Sequence, residues 1–410
     1  MKIFLALGFW VITLLSAYWY GLKNKESSRV PYPEHGFESL DRGLAEDEKM
    51  KPPSPALSVL ESNISTISFV DSAVNEIKET QSGQDKSKSL VQKLRSSNPV
   101  ERVQAFAVLL EKPNAESIAV AKEAYESLPG GPSRFSELKL LSFAWGQVDP
   151  QSALSWAGEQ EHWDKHVANE SIMNSWARED ADMAILWAKQ NYEGKENPYF
   201  IGIINGLSET NLPKATDLMT DLPYGRVRGR SAHMLFEKVW NQGEEVAMHW
   251  AEHLPEGSLQ NFAYGELGEK VARSDMPRAI EWIESMDESS LKLSVTEKVA
   301  KEMAREDPAK TAIWINSLPD GKSKKAAKIQ LAEMWTRQDP ASTAEWINQL
   351  PASENTDPLI ETLVNKVHKS DPQGALTWAK TISNPDRRKH MVEKVEKVLR
   401  KQEDLEKKKD

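Results

Sequence analysis

A recurrent tryptophan position limits the architectures that this chain can adopt. The position returns every 31 or 32 residues over most of the sequence. Its eight copies are Trp156, Trp187, Leu218, Trp250, Trp282, Trp314, Trp346 and Trp378. Self-similarity at this spacing is typical of solenoids, in which each unit buries its apolar face only against its neighbours. The period therefore predicts a repeat architecture.

Preferred helix N-cap residues precede every copy of the repeat. The residue seven before the recurrent position is Asp, Asn or Gly each time, and all three types are favoured N-caps. These residues are Asp149, Asp180, Asn211, Gly243, Asp275, Asp307, Asp339 and Asp371. Proline follows in four copies, where its missing N–H would have had no helical partner. A helix is predicted to begin at each of these positions.

Each predicted helix has a small residue on its tryptophan face and a defined end. Ala or Thr stands three residues before the recurrent position, so a neighbouring helix can approach there. Leu-Pro follows in four copies, and Gly225, Gly257 and Gly321 come two residues after three of these prolines. The segment that comes next repeats apolar residues every fourth position, as at Val295 and Val299, which predicts a partner helix.

These signals together predict an all-α fold, an αα-solenoid of about nine helical hairpins of 32 residues each. The solenoid is expected to span residues 85–401, with a charged tail at 402–410. Counting back 32 residues from Trp156 gives a divergent first unit, with Ser117 at the cap position and Leu128-Pro129 at the stop. The amphipathic C-terminal segment has the polar outer face expected of a terminal cap.

The pattern DPxxAxxW followed by LPxG resembles tandem αα-hairpin repeats found in uncharacterised bacterial proteins. The resemblance covers about Asp149 to Arg388, and the units are also similar to the broad tetratricopeptide- and HEAT-like helical repeat class. They lack the 34-residue tetratricopeptide period and its W-x2-L-G-x2-Y signature. The resemblance implies protein binding or scaffolding on a long concave surface, without catalysis.

The N-terminal segment predicts a membrane anchor, residues 1–23. Ile3 to Leu22 carry no charge and are long enough to cross roughly 30 Å of hydrocarbon as a helix. A cleaved signal peptide is the alternative, but the small residues Ala17 and Gly21 are preceded two positions earlier by Leu and Trp. Charge counting slightly favours a cytoplasmic body, whereas the two-residue head before the apolar run is typical of a bacterial signal anchor. We expect a single span in the inner membrane and a periplasmic body.

Residues 24–84 change in character and predict a flexible linker. Proline-rich, acidic and polar stretches alternate there, and such a segment buries too little apolar surface to offset its ordering entropy. A weakly apolar stretch at 56–77 is a possible short helix.

Composition excludes several functional classes. The chain has 52 Lys and Arg against 62 Asp and Glu, a net charge of −10, so it lacks the broad basic face of nucleic-acid-binding proteins. It contains no cysteine, which excludes disulfides, thiolate metal sites, iron–sulfur clusters and thiol nucleophiles.

Two histidine motifs have spacings that are compatible with metal binding. His249, Glu252 and His253 match the H-x-x-E-H arrangement of some zinc sites, and His162 and His166 form an i, i+4 pair. Trp250 within the first motif is a core position of the repeat, and the residue equivalent to His249 varies among the copies. Solvated surface is therefore the expected role of both motifs. No catalytic residue, metal site, cofactor or small-molecule substrate is predicted.

Departures from the repeat mark candidate partner-binding residues. Tyr224, Arg226, Arg228 and Arg230 in PYGRVRGR are expected to replace the usual short turn and to place three guanidinium groups near an aromatic ring. Trp163 and Trp240 lie off the repeat register and are candidate interface anchors.

The sequence as a whole favours a membrane-anchored scaffold or adaptor that binds protein partners at the cell envelope. A cell-wall or polysaccharide-binding module on the same solenoid is the alternative, and an enzyme with an unrecognised site is a third. The solvated-loop interpretation of the arginines and ordinary packing of the two tryptophans also remain open.

Overall fold

The computed structural model describes residues 90–351 and 353–406, and these residues form an all-α body without a β-strand. Residues 90–94 are helical, and a short 3-10 helix covers Pro132–Arg134. The α-helices from residue 99 onward are α1 Pro99–Leu109, α2 Ala115–Glu126, α3 Phe135–Val148, α4 Pro150–Gly158, α5 His162–Glu179, α6 Ala181–Gln190, α7 Tyr199–Thr210, α8 Leu212–Asp221, α9 Arg226–Gln242, α10 Glu244–Glu252, α11 Ser258–Ser274, α12 Met276–Ser285, α13 Ser290–Glu306, α14 Pro308–Ser317, α15 Lys322–Gln338, α16 Pro340–Gln349, α17 Asp357–Val367, α18 Pro372–Lys380 and α19 Pro385–Glu406.

Most hairpins from α3 onward join their two helices through a single residue. This residue is the predicted cap. The six Asp or Asn residues at these links, and Asp371 at the end of the longer link after α17, have φ between −153° and −135° and ψ between 77° and 94°. The backbone N–H of the linking residue closes the long helix, while its side chain accepts the N–H of the third residue of the short helix, as between Asp307 and Lys310. The predicted helix starts are thus confirmed.

Gly243 is the exception among the links. It has φ +136° and offers no side-chain cap to α10. The positive φ suits glycine because a Cβ would be strained there. The link between α9 and α10 therefore lacks the side-chain cap of the other links.

The helices pack in sequence order. The odd-numbered helices from α3 to α17 contact one another in series, and each even-numbered helix packs between the two odd-numbered helices that flank it in the chain. This nearest-neighbour packing confirms the predicted helical repeat and is consistent with an α-solenoid.

Glycines let several odd-numbered helices approach closely. A Cβ on Gly202 of α7 would lie 2.8 Å from the Cβ of Met173 in α5, and one on Gly268 of α11 would lie 2.9 Å from Val295 Cγ1 in α13. Real Cβ atoms do not tolerate such distances. These helices therefore pack backbone against backbone.

The recurrent tryptophans connect successive hairpins. The small residues three positions before them are fully buried, and Trp156, Trp250, Trp314 and Trp346 are buried beside them, as predicted. The indole Nε1 of Trp156 donates to Glu126 at 3.1 Å, and that of Trp250 donates to Thr216 Oγ1 at 2.9 Å. Both acceptors belong to the preceding hairpin, so the indole joins two units.

The predicted cap of the first unit is wrong. Asn114, not Ser117, caps α2, because its side chain accepts the N–H groups of Glu116 and Ser117 in a capping box. Residues 402–406 of the predicted charged tail are helical, since α19 continues to Glu406 through residues with high helix propensity.

The predicted anchor at 1–23 and the predicted linker at 24–84 lie outside the described residues. None of the helices that the structure describes has the length and apolar character needed to cross a bilayer.

Candidate partner-binding surface

The three arginines lie in α9 and not in a turn. The chain turns at Pro223 to Gly225, as in the other hairpins, and α9 begins at Arg226. Helical residues advance by about 100° each, so Arg226 and Arg230 share a face that Arg228 does not. The predicted cluster of three guanidinium groups is therefore divided into an exposed pair and a half-buried third residue.

Arg228 has different surroundings from the other two arginines. Its Nε is enclosed by protein and has no hydrogen-bond partner among the described residues. An enclosed donor of this kind loses hydration without full compensation. The side chain of Arg228 thus packs against the protein, whereas those of Arg226 and Arg230 are accessible to solvent or a ligand.

A glutamate from the preceding hairpin offsets the positive charge at this helix end. Cations are unfavourable near a helix N-terminus, and the first turn of α9 contains no acidic residue. Glu196, in the turn before α7, supplies the carboxylate: its Oε2 accepts the backbone N–H of Arg226 at 2.8 Å and that of Val227 at 3.3 Å. The carboxylate thereby caps α9 from another repeat.

The side chains of Arg226 and Arg230 remain largely uncommitted. Arg230 Nη2 lies 3.4 Å from Glu170 Oε2 of α5, a long contact between two solvent-accessible groups. The guanidinium of Arg226 forms no ion pair with any residue in the described part of the chain. The Arg226 side chain is therefore exposed without an ion-pair partner among these residues.

Aromatic residues lie along the same edge of the body. Tyr224 is 56% exposed immediately before α9, and Trp163 is 44% exposed as the second residue of α5. Half-buried Tyr192 lies between them in the chain, in the turn before α7. Because α5, α7 and α9 contact one another in series, their N-terminal ends form one edge. We call Trp163, Tyr192, Tyr224, Arg226 and Arg230 the aromatic edge.

A buried polar network holds the backbone beneath Trp163. The neighbouring residue Asp164 is buried, and its Oδ2 accepts the hydroxyl of Tyr125 at 2.8 Å and Arg134 Nη2 at 2.5 Å. The Arg134 guanidinium also lies 4.6 Å from the Tyr125 ring centroid. Burial and the hydrogen bond to Asp164 raise the pKa of Tyr125 far above its usual range, so the phenol remains a donor. The backbone that carries Trp163 is therefore held in place through its neighbour Asp164.

Trp240 lies apart from the aromatic edge. It is 14 residues after Arg226 on α9, which corresponds to about 21 Å along a helix. Its ring stacks on Phe236 with centroids 6.3 Å apart, and Lys270 Nζ lies 5.9 Å above it. The structure therefore places Trp240 in side-chain packing at the opposite end of the helix.

The histidines of the second motif lie at the start of α5. His162 is its first residue, and His166 is exposed one turn later. The side chain of His162 is outside the described part of the structure.

Sequence reasoning missed the residues that support the aromatic edge. Glu196 and Glu170 lie 30 and 60 residues from their arginine-segment partners, and neither occupies a periodic position of the repeat. Asp164 and Arg134 carry no local motif either. A comparison of the chain with protein-family models and with curated protein sequences finds no match.

Proposed function

We propose that this chain is a membrane-anchored α-solenoid scaffold that docks a protein partner at the cell envelope. In this proposal residues 3–22 form one span of a bacterial inner membrane, residues 24–84 are a tether, and nine hairpins followed by α19 form a periplasmic body. The resemblance of the DPxxAxxW and LPxG units to tandem repeats of uncharacterised bacterial proteins supports a binding role.

The aromatic edge is the docking surface in this proposal. The observation that carries the proposal is the charge of Arg226, which has no ion-pair partner in the described chain and lies two residues from exposed Tyr224. Trp, Tyr and Arg are the residue types that dominate binding energy at protein interfaces. The network under Trp163 lowers the ordering cost of binding because that segment is already fixed.

The partner is a protein segment with matching chemistry. A carboxylate of the partner pairs with Arg226 and Arg230, and an apolar side chain packs on Tyr224 or Trp163. Guanidinium groups favour carboxylates because their paired N–H groups match the two oxygens. An acidic peptide segment that carries no phosphate group provides both the carboxylate and the apolar side chain.

Site-specific photocrosslinking in cells tests this surface. A photoreactive phenylalanine derivative replaces Tyr224 in the full-length chain, and the same residue replaces Ile313 as a control, since Ile313 is 72% exposed on α14. We expect one defined protein adduct from position 224 only. Arg226→Glu with Arg230→Glu should abolish that adduct, whereas Lys389→Glu with Lys397→Glu, a charge reversal on exposed positions of α19, should preserve it.

Other outcomes would overturn the docking proposal. An adduct that survives reversal of Arg226 and Arg230, or that forms equally from position 313, would show that the aromatic edge does not select the partner. Crosslinks to cell-wall glycan in place of protein would favour the polysaccharide-binding alternative.

The orientation has an independent test because the chain contains no cysteine. Ile313→Cys places a single thiol on an exposed position of the body, and Lys2→Cys places one before the span. A membrane-impermeant maleimide should label position 313 in cells with a permeabilised outer membrane, and position 2 only after lysis. The reverse pattern would place the body in the cytoplasm.

A further inference from the structure

Three potential metal ligands share one face at the end of α10. His249, Glu252 and His253 are spaced three and four residues apart, so they project from the same side of the helix. All three are exposed, whereas Trp250 and Ala251 between them are buried and face the core. Because Trp250 faces the core, it does not prevent His249, Glu252 and His253 from meeting on the exposed side of the helix.

The donor atoms of these three side chains already converge. One ligand atom from each lies within 4.8 Å of the others. The two imidazole rings have centroids 4.1 Å apart and are inclined at 50°. A site with this geometry needs only small side-chain rotations to surround one ion.

A backbone hydrogen bond orients His253. Its Nδ1–H donates to the carbonyl oxygen of His249 at 2.8 Å, since a carbonyl can only accept. The lone pair of the neutral ring is then on Nε2, which remains available for coordination. Metal-binding histidines in proteins characteristically have their second nitrogen fixed in this way.

The local charge also favours a cation. The ligands lie at the C-terminal end of α10, where unpaired carbonyl groups carry partial negative charge. Glu252 forms no ion pair with any described residue, so its carboxylate is uncompensated. Gln260 Nε2 donates to the carbonyl oxygen of Glu252 at 3.3 Å and links this helix end to α11.

A second cluster of similar composition is less suitable. His233, Glu237 and Glu266 also bring three ligand atoms together between α9 and α11. Lysines already neutralise both carboxylates there: Lys270 Nζ lies 2.8 Å from Glu237, and Lys298 Nζ lies 2.5 Å from Glu266. An ion would have to displace these lysines, which makes His233 a useful control.

We propose that His249, Glu252 and His253 form a binding site for a divalent first-row transition metal ion, with zinc as the best-matched ion. Two imidazole nitrogens and one carboxylate oxygen are typical zinc donors, and exposure leaves a fourth coordination position for water. Hard cations such as Mg²⁺ and Ca²⁺ prefer all-oxygen sites and should not compete. The site does not depend on the proposed docking function.

Zinc titration of the metal-free, full-length chain tests this site. The protein is purified in detergent without a histidine tag, and binding is followed by calorimetry. We expect one zinc ion per chain, with His249→Gln and His253→Gln each weakening affinity by about tenfold or more. His233→Gln should bind as the unmodified chain does, and far-UV circular dichroism should be unchanged in all three variants.

Cobalt gives a second measurement that reports coordination directly. Co²⁺ in a four-coordinate site produces visible absorption that should appear in the unmodified chain and in His233→Gln but not in His249→Gln. The proposal is overturned if the chain binds no zinc, if the variants at 249 and 253 bind zinc as tightly as the unmodified chain, or if only His233→Gln loses it.

Discussion

The carboxylate of Glu196 accepts the backbone N–H of Arg226 at 2.8 Å, so one repeat caps the first turn of a helix in the next. Glu288 repeats this relationship further along the chain, where its Oε1 accepts the backbone N–H of Ser323 at 3.0 Å. Both glutamates lie in the turn before an odd-numbered helix and bond to the start of the following odd-numbered helix. Successive hairpins are thus joined by polar contacts in addition to apolar packing.

These caps explain the glycine that follows Leu-Pro in two of the hairpins. A Cβ on Gly225 would lie 2.5 Å from Glu196 Cδ, and one on Gly321 would lie 3.0 Å from Glu288 Oε1. The φ angles of both glycines are close to 180°, a conformation that any residue adopts. Close approach of the carboxylate, and not backbone conformation, therefore favours glycine there.

Gly225→Ala should destabilise the body by about 1 kcal/mol, the usual effect of losing a cap, because the new methyl group displaces Glu196 from α9. The measurement is urea unfolding followed by far-UV circular dichroism. Gly158→Ala is the matched control, since a Cβ at that position of α4 meets no atom within 4 Å. Adding Gly225→Ala to Glu196→Ala should have little further effect; full additivity would contradict the proposed mechanism.

Acid should destabilise the body through its caps. Hydrogen bonds from the backbone N–H of Lys310 lower the pKa of Asp307, and bonds from the hydroxyl and backbone N–H of Ser342 lower the pKa of Asp339. A carboxyl group whose pKa is lower in the folded state stabilises that state above its unfolded pKa, about 3.9, and this contribution disappears as pH falls through the folded value. We expect the urea midpoint to decrease as pH is lowered from about 5 to 3.

Asparagine variants separate this effect from general acid denaturation. Asp307→Asn with Asp339→Asn keeps an oxygen that accepts the N–H groups but removes the titration. The double variant should lose less stability between neutral and acidic pH than the unmodified chain. An identical pH dependence would show that these two caps do not contribute to it.

The hydrogen bond between Trp250 Nε1 and Thr216 Oγ1 predicts the effect of an isosteric substitution. Thr216→Val should cost about 1 kcal/mol or slightly more, because it leaves a buried indole N–H without a partner. Urea unfolding again provides the measurement.

Trp346 offers the reverse experiment. Its Nε1 is buried without a partner among the described residues, and the position equivalent to Thr216 is occupied by Ala312. Ala312→Thr should supply a hydroxyl oxygen that accepts the indole N–H of Trp346. This hydrogen bond should offset part or all of the free-energy cost of a β-branched residue in α14. Equal destabilisation by Thr216→Val and Ala312→Thr would contradict the equivalence of positions 216 and 312 in the repeat.

Truncation of two tryptophans should change stability by very different amounts. Trp314→Ala should cost about 3–5 kcal/mol because it opens a cavity between hairpins. Trp163→Ala should change stability by only about 0.5 kcal/mol because its ring is largely outside the core. The same Trp163 variant should reduce the crosslinked adduct formed from position 224. A large loss of stability in Trp163→Ala would assign this residue to the core.

The helix starts and the recurrent core were predictable because both depend on local patterns. Asp at a cap, followed by Ala and Trp at helical spacing, determines a short helix without knowledge of its neighbours. The cap at Asn114 was not predicted because counting back one repeat from Trp156 gives Ser117. Ser117 is the other residue of the capping box. The repeat period was correct, but the first unit departs from the common register.

The candidate surface was less predictable because its geometry depends on contacts between repeats. Arg226, Arg228 and Arg230 are close in sequence, yet helix formation from Arg226 separates Arg228 from the other two. Glu196 could not be identified as a cap, since its distance to Arg226 matches no fixed spacing in the chain. His249 and Glu252 were expected to be solvated surface because Trp250 is a core position and the residue equivalent to His249 varies among the copies. The sequence could not show that their ligand atoms lie within 4.8 Å of one another.

The one-residue links have a consequence for how such a chain can diverge. An extra residue beside Asp307 or Asp339 would separate two roles that one residue now combines, because its backbone N–H closes the long helix while its side chain caps the short helix. Connections at the other edge already differ in length, from residues 159–161 before α5 to residues 191–198 before α7. Length differences between the hairpins therefore lie mainly at the edge that carries Trp163, Tyr192 and Tyr224, where they leave the caps of the short helices in place.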